Sequence, residues 1–199
     1  MKMLRPLSGL SYVLVMAGFC LASALIASPL QASEQALWSA LKSGEAVAMI
    51  RHALAPGTGD PENFRVDDCA TQRNLDQRGR DQARVIGQRF RDAGIARAKI
   101  LSSAWCRCLE TADIMDLGPV ENLPALNSFF RKFERREPQT RALRAYLKGR
   151  EAGPLVLVTH QVNITALTDV FPQSGEIIVV RPKADGSVTV MGRLPTAVR

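Results

Sequence analysis

The chain has 199 residues, of which 46% are hydrophobic and 23% are charged, as in an ordinary globular domain and unlike a disordered chain. Its formal net charge is +7, and without Lys2 and Arg5 the remainder keeps 24 basic against 19 acidic residues, a net +5. The sequence contains no basic run interleaved with aromatic residues, so we expect no nucleic-acid partner. The moderate basic excess suits a small phosphorylated ligand.

Residues 1–32 have the pattern of a secretory signal peptide. A basic start at Lys2 and Arg5 precedes a long apolar core, and small residues around Ala32 form a suitable cleavage site. An uncleaved membrane anchor is the alternative, because the apolar stretch approaches the length that spans a bilayer. A helix-breaking proline near the end of the segment favours cleavage. We therefore expect a periplasmic or secreted protein with a single domain over 33–199 and no stable membrane span after processing.

The first part of the predicted domain contains a helix, a strand and a long loop. Ser33 is a candidate N-cap for a helix that Gly44 ends. The apolar run that follows is too short for a helix and ends in Arg51 and His52, which is typical of a strand buried on both faces. The loop 53–74 comes next, and its position beyond a strand end favours a functional role.

A helix, a strand and a second helix come next along the chain. The sequence predicts an amphipathic helix over 76–93, with its first residue as N-cap, and a short strand over 98–102. The next helix is predicted over 103–115. Arg107 lies one turn into that helix, where free backbone N–H groups and the positive end of the helix dipole favour anions.

The last part of the chain repeats the pattern of strand and helix. Residues 119–138 show no clear pattern, and a helix runs from about Pro138 to Lys148. A second apolar strand over 155–159 ends in His160, and a helix over 161–169 follows it directly.

A β-hairpin over 176–191 closes the chain, with Asp185-Gly186 as its turn. Strands that alternate with helices predict the α/β class. We expect a three-layer α/β/α sandwich with a mostly parallel central sheet.

The only two histidines of the chain follow its two most apolar strands. If these strands are parallel and end level, both imidazoles meet at one edge of the sheet, where ligands bind in α/β proteins. Arg51 and Arg107 then flank them. One imidazole can attack phosphorus while the other and the guanidinium groups hold the phosphoryl oxygens. We expect the walls of this pocket to come from 53–74 and 119–138.

Three short motifs resemble, in order, the signatures of the histidine phosphatase superfamily, in its phosphoglycerate-mutase-like branch. They are Ile50-Arg51-His52-Ala53, Ser102-Ser103-x-x-x-Arg107-x-x-x-Thr111-Ala112 and Val158-Thr159-His160. The short exported layout also resembles small periplasmic bacterial members of that superfamily. The resemblance implies a histidine-phosphatase-like fold and a metal-independent phosphatase that hydrolyses a phosphomonoester through a phosphohistidine. His52 is then the phosphoacceptor, and Arg51, Arg107 and His160 bind the phosphoryl group without a cofactor.

The phosphate-binding positions depart from the family pattern. Ala53 stands where the family usually has glycine after the first histidine, which is a mild change. Thr58 stands where many members have a phosphate-binding asparagine, and it still offers a hydroxyl and a backbone N–H. Gln161, directly after the second histidine, is a further candidate for phosphate binding.

The proton donor is the open position of the predicted site. The family usually has an acidic residue some way after the second motif, but here that stretch, 126–130, reads LNSFF. The candidates are Asp60, Glu134 and Glu137, and Asp60 is favoured because its loop must cross the pocket mouth. A good leaving group needs little acid catalysis, so a chain without a dedicated donor is the remaining alternative.

Three cysteines remain after the predicted signal peptide. In an oxidising compartment Cys69 pairs with Cys106 or with Cys108, and either bond ties the long loop to the helix that carries Arg107. One thiol is left over. The cysteine spacing does not match zinc patterns, and two histidines without a third ligand fall short of a metal site, so we expect no metal.

Two other functions compete with hydrolysis. An exported binding protein would keep the fold and the anion pocket without turnover, and the missing acid supports it. A mutase or phosphotransferase acting on sugar phosphates is less favoured, because the chain has little room for the insertions that close over a bound intermediate. A monomer is the default expectation, since the sequence has no long exposed apolar run.

Overall fold

A six-stranded sheet lies at the centre of residues 32–197, which are the part of the chain that the structure, a computed structural model, describes. The strands are β1 Val47–Arg51, β2 Lys99–Ser102, β3 Val120–Asn122, β4 Leu155–Thr159, β5 Ile177–Pro182 and β6 Val188–Leu194. Their order across the sheet is β3-β2-β4-β1-β5-β6. The first four in this order run parallel, and the hairpin β5–β6 adds two antiparallel strands.

Five α-helices flank the sheet in the described residues. They are α1 Glu34–Ser43, α2 Gln77–Asp92, α3 Cys106–Met115, α4 Arg136–Lys148 and α5 Gln161–Thr168. Helices α1, α2 and α3 share one core, which includes Phe90 and Met115. Helices α4 and α5 share a second core, which includes Leu143 and Ile164. The predicted α/β sandwich with a mostly parallel sheet is therefore confirmed.

Strand β1 shows why its sequence is apolar throughout. Ala48 and Ile50 belong to the core of α1, α2 and α3, whereas Val47 and Met49 belong to the core of α4 and α5. All four side chains are fully buried. A strand covered on both faces has no position that tolerates a polar residue, so the alternation of a half-exposed strand disappears.

Strands β1 and β4 are parallel neighbours and end level with each other. Arg51 pairs with Thr159 in the register, so His52 and His160 occupy equivalent positions one residue later. The backbone N–H of His52 donates to the carbonyl of Thr159 at 2.9 Å. The two imidazole rings lie 5.5 Å apart between centroids. The predicted meeting of the two histidines at one sheet edge is observed.

The boundaries differ from the prediction in two places near the site. Helix α3 begins at Cys106 and not at residue 103, because the Ser103 hydroxyl accepts from the N–H of Trp105 and holds a turn there. The unclear segment 119–138 consists of β3, two single turns of 3₁₀-helix and the start of α4. Pro138 lies in the first turn of α4, where a missing N–H costs no helical hydrogen bond.

The predicted signal peptide lies outside the described residues except for Ala32, so its cleavage stays a prediction. The assignment of 33–199 to one domain also stays a prediction. Within 32–197, no helix combines the length and apolar character needed to cross a bilayer.

Candidate active site

A cavity of about 430 Å³ opens beyond the carboxyl ends of β1 and β4. Its floor carries His52, His160 and Arg107, each almost fully buried, together with the partly exposed Arg51. Its walls come from the loop after β1 and from the segment between β3 and α4, which are the two regions expected to form them. The four basic residues that the motifs single out therefore share one site.

His52 is held as a neutral imidazole with a defined tautomer. Its Nδ1–H donates to the carbonyl of Ala53 at 2.8 Å, which leaves the lone pair on Nε2. Nε2 accepts from Nε–H of Arg107 at 3.2 Å. Burial, and next the positive charge of Arg107, lower the pKa of His52 well below its ordinary value. An unprotonated Nε2 at the floor of a cationic cavity has the properties of a nucleophile.

Arg107 uses all five of its N–H groups within the site. Besides the bond to His52, it donates from Nη1 to Oδ1 of Asp60 at 2.6 Å and to the carbonyl of Arg73 at 3.3 Å. Nη2 donates to Oδ2 of Asp60 at 3.2 Å and faces Nδ1 of His160 at 3.5 Å. A substrate that approaches this guanidinium must therefore replace at least one of these partners.

His160 is oriented by a chain of hydrogen bonds that runs into the segment after β3. Oδ1 of Asn127 accepts from the N–H of Ala104 at 2.8 Å and from the hydroxyl of Ser103 at 3.3 Å. The hydroxyl oxygen of Ser103 therefore accepts from Nε2–H of His160, at 2.8 Å. Nδ1 of His160 is left as an acceptor that faces Arg107. Burial, followed by the charge of Arg107, lowers the pKa of His160 well below its ordinary value.

Arg51 offers a hydrogen-bond donor that the described residues do not use. Its Nη1 donates to the carbonyl of Pro172 at 3.0 Å, while the buried Nε has no partner among the described residues. Burial, and next the charge of Arg107, lower the pKa of Arg51. A buried donor without an acceptor is costly, so an anion in the adjacent cavity would stabilise it.

Asp60 lies in the site, but its surroundings do not suit the predicted proton donor. Burial raises the pKa of its carboxyl, but the hydrogen bonds and charge of Arg107, the indole N–H of Trp105 and the backbone N–H of Arg73 together lower it more. The net pKa lies below the ordinary value, so the carboxyl is ionised at neutral pH. In this arrangement Asp60 is the counterion of Arg107, and its role as the acid stays a prediction.

The other predicted residues divide between the cavity and the surface. Thr58 and Gln161 line the cavity, as expected of phosphate-binding candidates. Glu134 and Glu137 are exposed and do not line it, so neither alternative donor is in place. Glu62, which the sequence did not single out, lines the cavity mouth.

Arg73 and Trp105 are site residues that the sequence did not indicate. Arg73 donates from Nε to the carbonyl of Gly59 at 2.7 Å and from Nη1 to the carbonyl of Ala55, so it fixes the loop after β1 from inside. Burial and the charge of Arg107 lower its pKa to about 10. The Trp105 indole stacks on Phe64, with centroids 5.1 Å apart. Neither residue is a specified position of a motif, so only the folded structure shows that they belong to the site.

A disulfide between Cys69 and Cys106 joins the loop after β1 to the first residue of α3. This is one of the two pairings that the sequence left open. Cys108 is fully buried, with its Sγ 3.5 Å from Nε2 of His160. Burial raises the pKa of the Cys108 thiol to about 12, so it is a neutral packing group and not a nucleophile. Among residues 32–197, no three His, Cys, Asp or Glu side chains are placed to hold a metal ion.

Comparison with known proteins supports the motifs. The sequence model of the histidine phosphatase superfamily (branch 1) matches residues 47–137, a stretch that ends before His160. The mitochondrial serine/threonine-protein phosphatase Pgam5 of Drosophila willistoni is 38% identical over 74 residues, which cover 37% of this chain and 23% of that protein. The Pgam5 of Drosophila grimshawi is 34% identical over 91 residues, or 43% of this chain and 29% of that protein. The chain thus spans about a quarter of the length of these curated relatives.

Solved structures agree in fold. The protein histidine phosphatase SixA, complexed with tungstate, has a TM-score of 0.54 at 17% identity and covers 75% of this chain and 96% of its own. The alpha-ribazole phosphatase of Shigella flexneri has a TM-score of 0.54 at 15% identity and covers 73% and 94%. The fold is therefore that of the α/β histidine phosphatases. The chain is therefore similar in sequence over 47–137 to the histidine phosphatase superfamily, and it shares the fold of the solved structures.

The disulfide predicts a specific peptide map. Trypsin cleaves after Arg107 and so separates Cys106, in peptide 100–107, from Cys108, in peptide 108–131. In a tryptic digest of alkylated protein without reductant, we expect peptide 66–73 to be joined by a disulfide to peptide 100–107. Peptide 108–131 should carry the alkyl group on Cys108. Mass spectrometry before and after reduction measures this. A link from 66–73 to 108–131 would contradict the pairing.

The two neutral histidines predict how stability depends on pH. Because their pKa values are lowered in the folded state, the unfolded chain binds more protons once the pH falls below about 6.5, and the free energy of unfolding decreases as the pH falls. Between about pH 7.5 and pH 5.5 each histidine contributes a loss of about 1.4 kcal/mol.

Urea unfolding of the wild type and of His160→Gln at the two pH values measures this loss. The variant keeps every carboxylate, so the carboxylate contribution cancels in the comparison. We expect the wild type to lose more stability than the variant on acidification. An equal or larger loss in the variant would show that His160 is charged in the folded protein.

Proposed function

We propose that the protein is a metal-independent phosphatase that hydrolyses a phosphomonoester through a phosphohistidine on His52. The observation that carries the proposal is the neutral His52, whose unprotonated Nε2 lies at the floor of a cavity lined by Arg51, Arg73 and Arg107. Phosphoryl transfer needs an aligned nucleophile and cations for the oxygens, and this site supplies both. The relatives compared above are named as phosphatases, which supports the same reaction class.

The reaction has two steps on one atom. Nε2 of His52 attacks phosphorus, an N–P bond forms, the ester P–O bond breaks, and the alcohol leaves with a proton taken up at its oxygen. A water molecule then attacks the same phosphorus, the N–P bond breaks, and inorganic phosphate leaves. The Nδ1–H bond to the Ala53 carbonyl stabilises the positive imidazole that forms during attack. Ala53 serves this purpose as well as glycine, because only its backbone carbonyl takes part.

Substrate binding must rearrange the contacts of Arg107. Its Nε–H occupies the lone pair of His52 Nε2 that has to face phosphorus, and its Nη groups are held by Asp60. A phosphoryl group that enters can replace His52 as the partner of Nε–H and accept from the unused Nε–H of Arg51. Asp60 then competes with the substrate for the same guanidinium.

We propose no dedicated proton donor for the leaving group. The ion pair with Arg107 keeps Asp60 ionised, and Glu134 and Glu137 do not reach the cavity. Glu62 at the mouth and solvent are then the sources of the proton. Such a site favours esters with a good leaving group, because these need little acid catalysis.

The competing functions fit the site less well. A binding protein without turnover needs cations but no nucleophile, and it gives no reason for an imidazole held with its lone pair toward the cavity. A mutase or phosphotransferase must retain its intermediate, whereas here the cavity mouth is formed by exposed side chains.

We also propose that the protein is exported and acts in an oxidising compartment. The signal-peptide pattern of residues 1–32 supports this, and so does the Cys69–Cys106 disulfide, since such bonds persist outside the cytosol. The tryptic digest described above also tests export. Cleavage after Ala32 gives a peptide 33–42 that begins at a residue no trypsin cut produces.

Replacing the nucleophile tests the phosphatase proposal. We expect the wild type to hydrolyse 4-nitrophenyl phosphate in the presence of EDTA, and His52→Ala to lose at least about a thousandfold in kcat/KM. A quench in alkaline detergent with a ³²P-labelled substrate should trap a base-stable phosphoenzyme in the wild type and none in the variant, and later acid treatment should release the label. Arg136→Gln is the matched control, because Arg136 is exposed and does not line the cavity. Activity that survives in His52→Ala would contradict the proposal.

Asp60→Asn separates a counterion from a proton donor. If Asp60 only positions Arg107 and competes with the substrate, its loss changes kcat by the same factor for 4-nitrophenyl phosphate and for an alkyl phosphate. Inorganic phosphate should then inhibit the variant more strongly, by about three- to thirtyfold, because a negative charge is gone from the cavity. If Asp60 donates the proton, the alkyl phosphate loses about a hundredfold or more and the nitrophenyl ester little. Steady-state kinetics on both esters decides.

A further inference from the structure

The mouth of the cavity carries three cations that phosphoryl transfer does not require. Arg131, Lys132 and Arg135 line it from the segment between β3 and α4, and all three side chains are exposed. In the part of the chain that the structure describes, none of them takes part in a salt bridge. We refer to these three residues as the rim cluster.

The charges lining the cavity exceed what one phosphoryl group needs. Arg51, Arg73 and Arg107 at the floor already offer three guanidinium groups to a dianion. The lining carboxylates are Asp60 and Glu62, and the first of these is paired with Arg107. The rim cluster therefore adds positive charge at the mouth of the same cavity, which the single carboxylate of Glu62 offsets only in part.

The backbone holds the rim cluster over the mouth. Arg131 has φ +64°, a left-handed conformation that costs free energy in a residue other than glycine and is kept only where the surroundings enforce it. Its guanidinium lies 5.7 Å from the centre of the Phe130 ring, and the buried Phe129 anchors the segment below.

The opposite wall meets this segment at Gly59. A Cβ at that position would lie 3.5 Å from the Phe130 ring and 3.7 Å from Cζ of Arg131. Arg131 is thus packed close to the loop that carries Asp60, and the whole rim cluster lines the same cavity as the floor.

We propose that the rim cluster binds a second anionic group, a phosphate or a carboxylate, on the part of the substrate that is not transferred. This rests on the proposed function, since the floor holds the phosphoryl group that is transferred. The substrate class is then a phosphomonoester with a further anionic group at its far end. A cavity of about 430 Å³ accommodates a small organic molecule that bridges both ends. Phe64 and Phe130 also line this cavity.

Phosphonates test the subsite without turnover, because a C–P bond is not hydrolysed. Propylphosphonate and hexylphosphonate are compared with propane-1,3-diphosphonate and hexane-1,6-diphosphonate by calorimetry on the full chain at near-physiological salt. A diphosphonate with two equal ends gains a factor of two by statistics alone. We expect at least one diphosphonate to bind about tenfold more tightly than its monophosphonate partner, as contacts to three exposed cations predict.

Charge removal at the rim supplies the specific control. The ratio is the dissociation constant of a monophosphonate divided by that of the diphosphonate of the same length. In R131Q/K132Q/R135Q we expect this ratio to fall to about two, the statistical factor. In Arg136→Gln, which removes one positive charge from the same segment outside the cavity, we expect the ratio to stay at the wild-type value. Equal unfolding midpoints show that the substitutions do not act through stability.

Each of these results would overturn the inference: a wild-type ratio near two for both chain lengths, a ratio that survives the triple variant, or no measurable binding of any phosphonate. An equal fall of the ratio in Arg136→Gln would assign the effect to overall charge and overturn it too. Binding of phosphonates is independent of hydrolysis. If His52→Ala keeps its activity while the wild-type ratio of dissociation constants is high, only the phosphatase proposal is contradicted. If the wild type hydrolyses the ester through His52 but the ratio is near two, only the second anion subsite is contradicted.

Discussion

The burial of one guanidinium governs the arrangement of the site. Arg107 is only 3% exposed, and a buried cation is tolerated only when its donors are used and its charge is compensated. Asp60 supplies the charge, and both histidines and a backbone carbonyl supply the remaining acceptors. Burial, and next the same positive charge, lower the pKa values of His52 and His160. In the proposed mechanism the cation that binds the substrate therefore also prepares the nucleophile, and the carboxylate that stabilises this cation competes with the substrate.

The fold holds these groups at fixed positions from three sides. The parallel pairing of β1 with β4 sets the distance between the imidazoles, and helix α3 presents Arg107 from its first turn. The loop after β1 is less regular, and it is fixed by contacts of its own. Arg73 holds its carbonyls from within, and the disulfide from Cys69 fastens it beside Arg107. A long loop can therefore place Asp60 as accurately as a strand would.

In the proposed mechanism the groups that transfer the phosphoryl group lie at the cavity floor, and only Glu62 at the mouth and solvent are left to protonate the leaving group. The nucleophile, its hydrogen-bonded carbonyl and the guanidinium groups lie at the floor, whereas Glu134 and Glu137 lie outside the cavity. In place of an acid, the segment after β3 contributes Asn127, which orients His160 through Ser103. The same segment also carries the positive charge at the mouth. In these proposals its sequence bears on substrate choice more than on proton transfer.

The sequence by itself determined the layers of the fold and the centre of the site. The periodicity of apolar residues located the helices. Two strands that are covered on both faces had to be apolar at every position. The polar residues that follow these strands, His52 and His160, were therefore easy to recognise. Arg107 was found because a motif and a helix start coincide. These are local signals, which depend on neighbours in the chain.

Only the tertiary structure decided which groups meet across the loops. The charge state of Asp60 depends on Arg107, which is 47 residues away in the chain, and no local pattern encodes that ion pair. The choice of Cys106 over Cys108 follows from the side of α3 that faces the loop, and Arg73 acts through carbonyls that its own loop brings to it. The cations at the mouth face the cavity because an irregular segment turns them toward it. Irregular segments have no periodic pattern of apolar and polar residues from which their conformation can be predicted. Contacts of this kind are therefore defined only when the chain has folded.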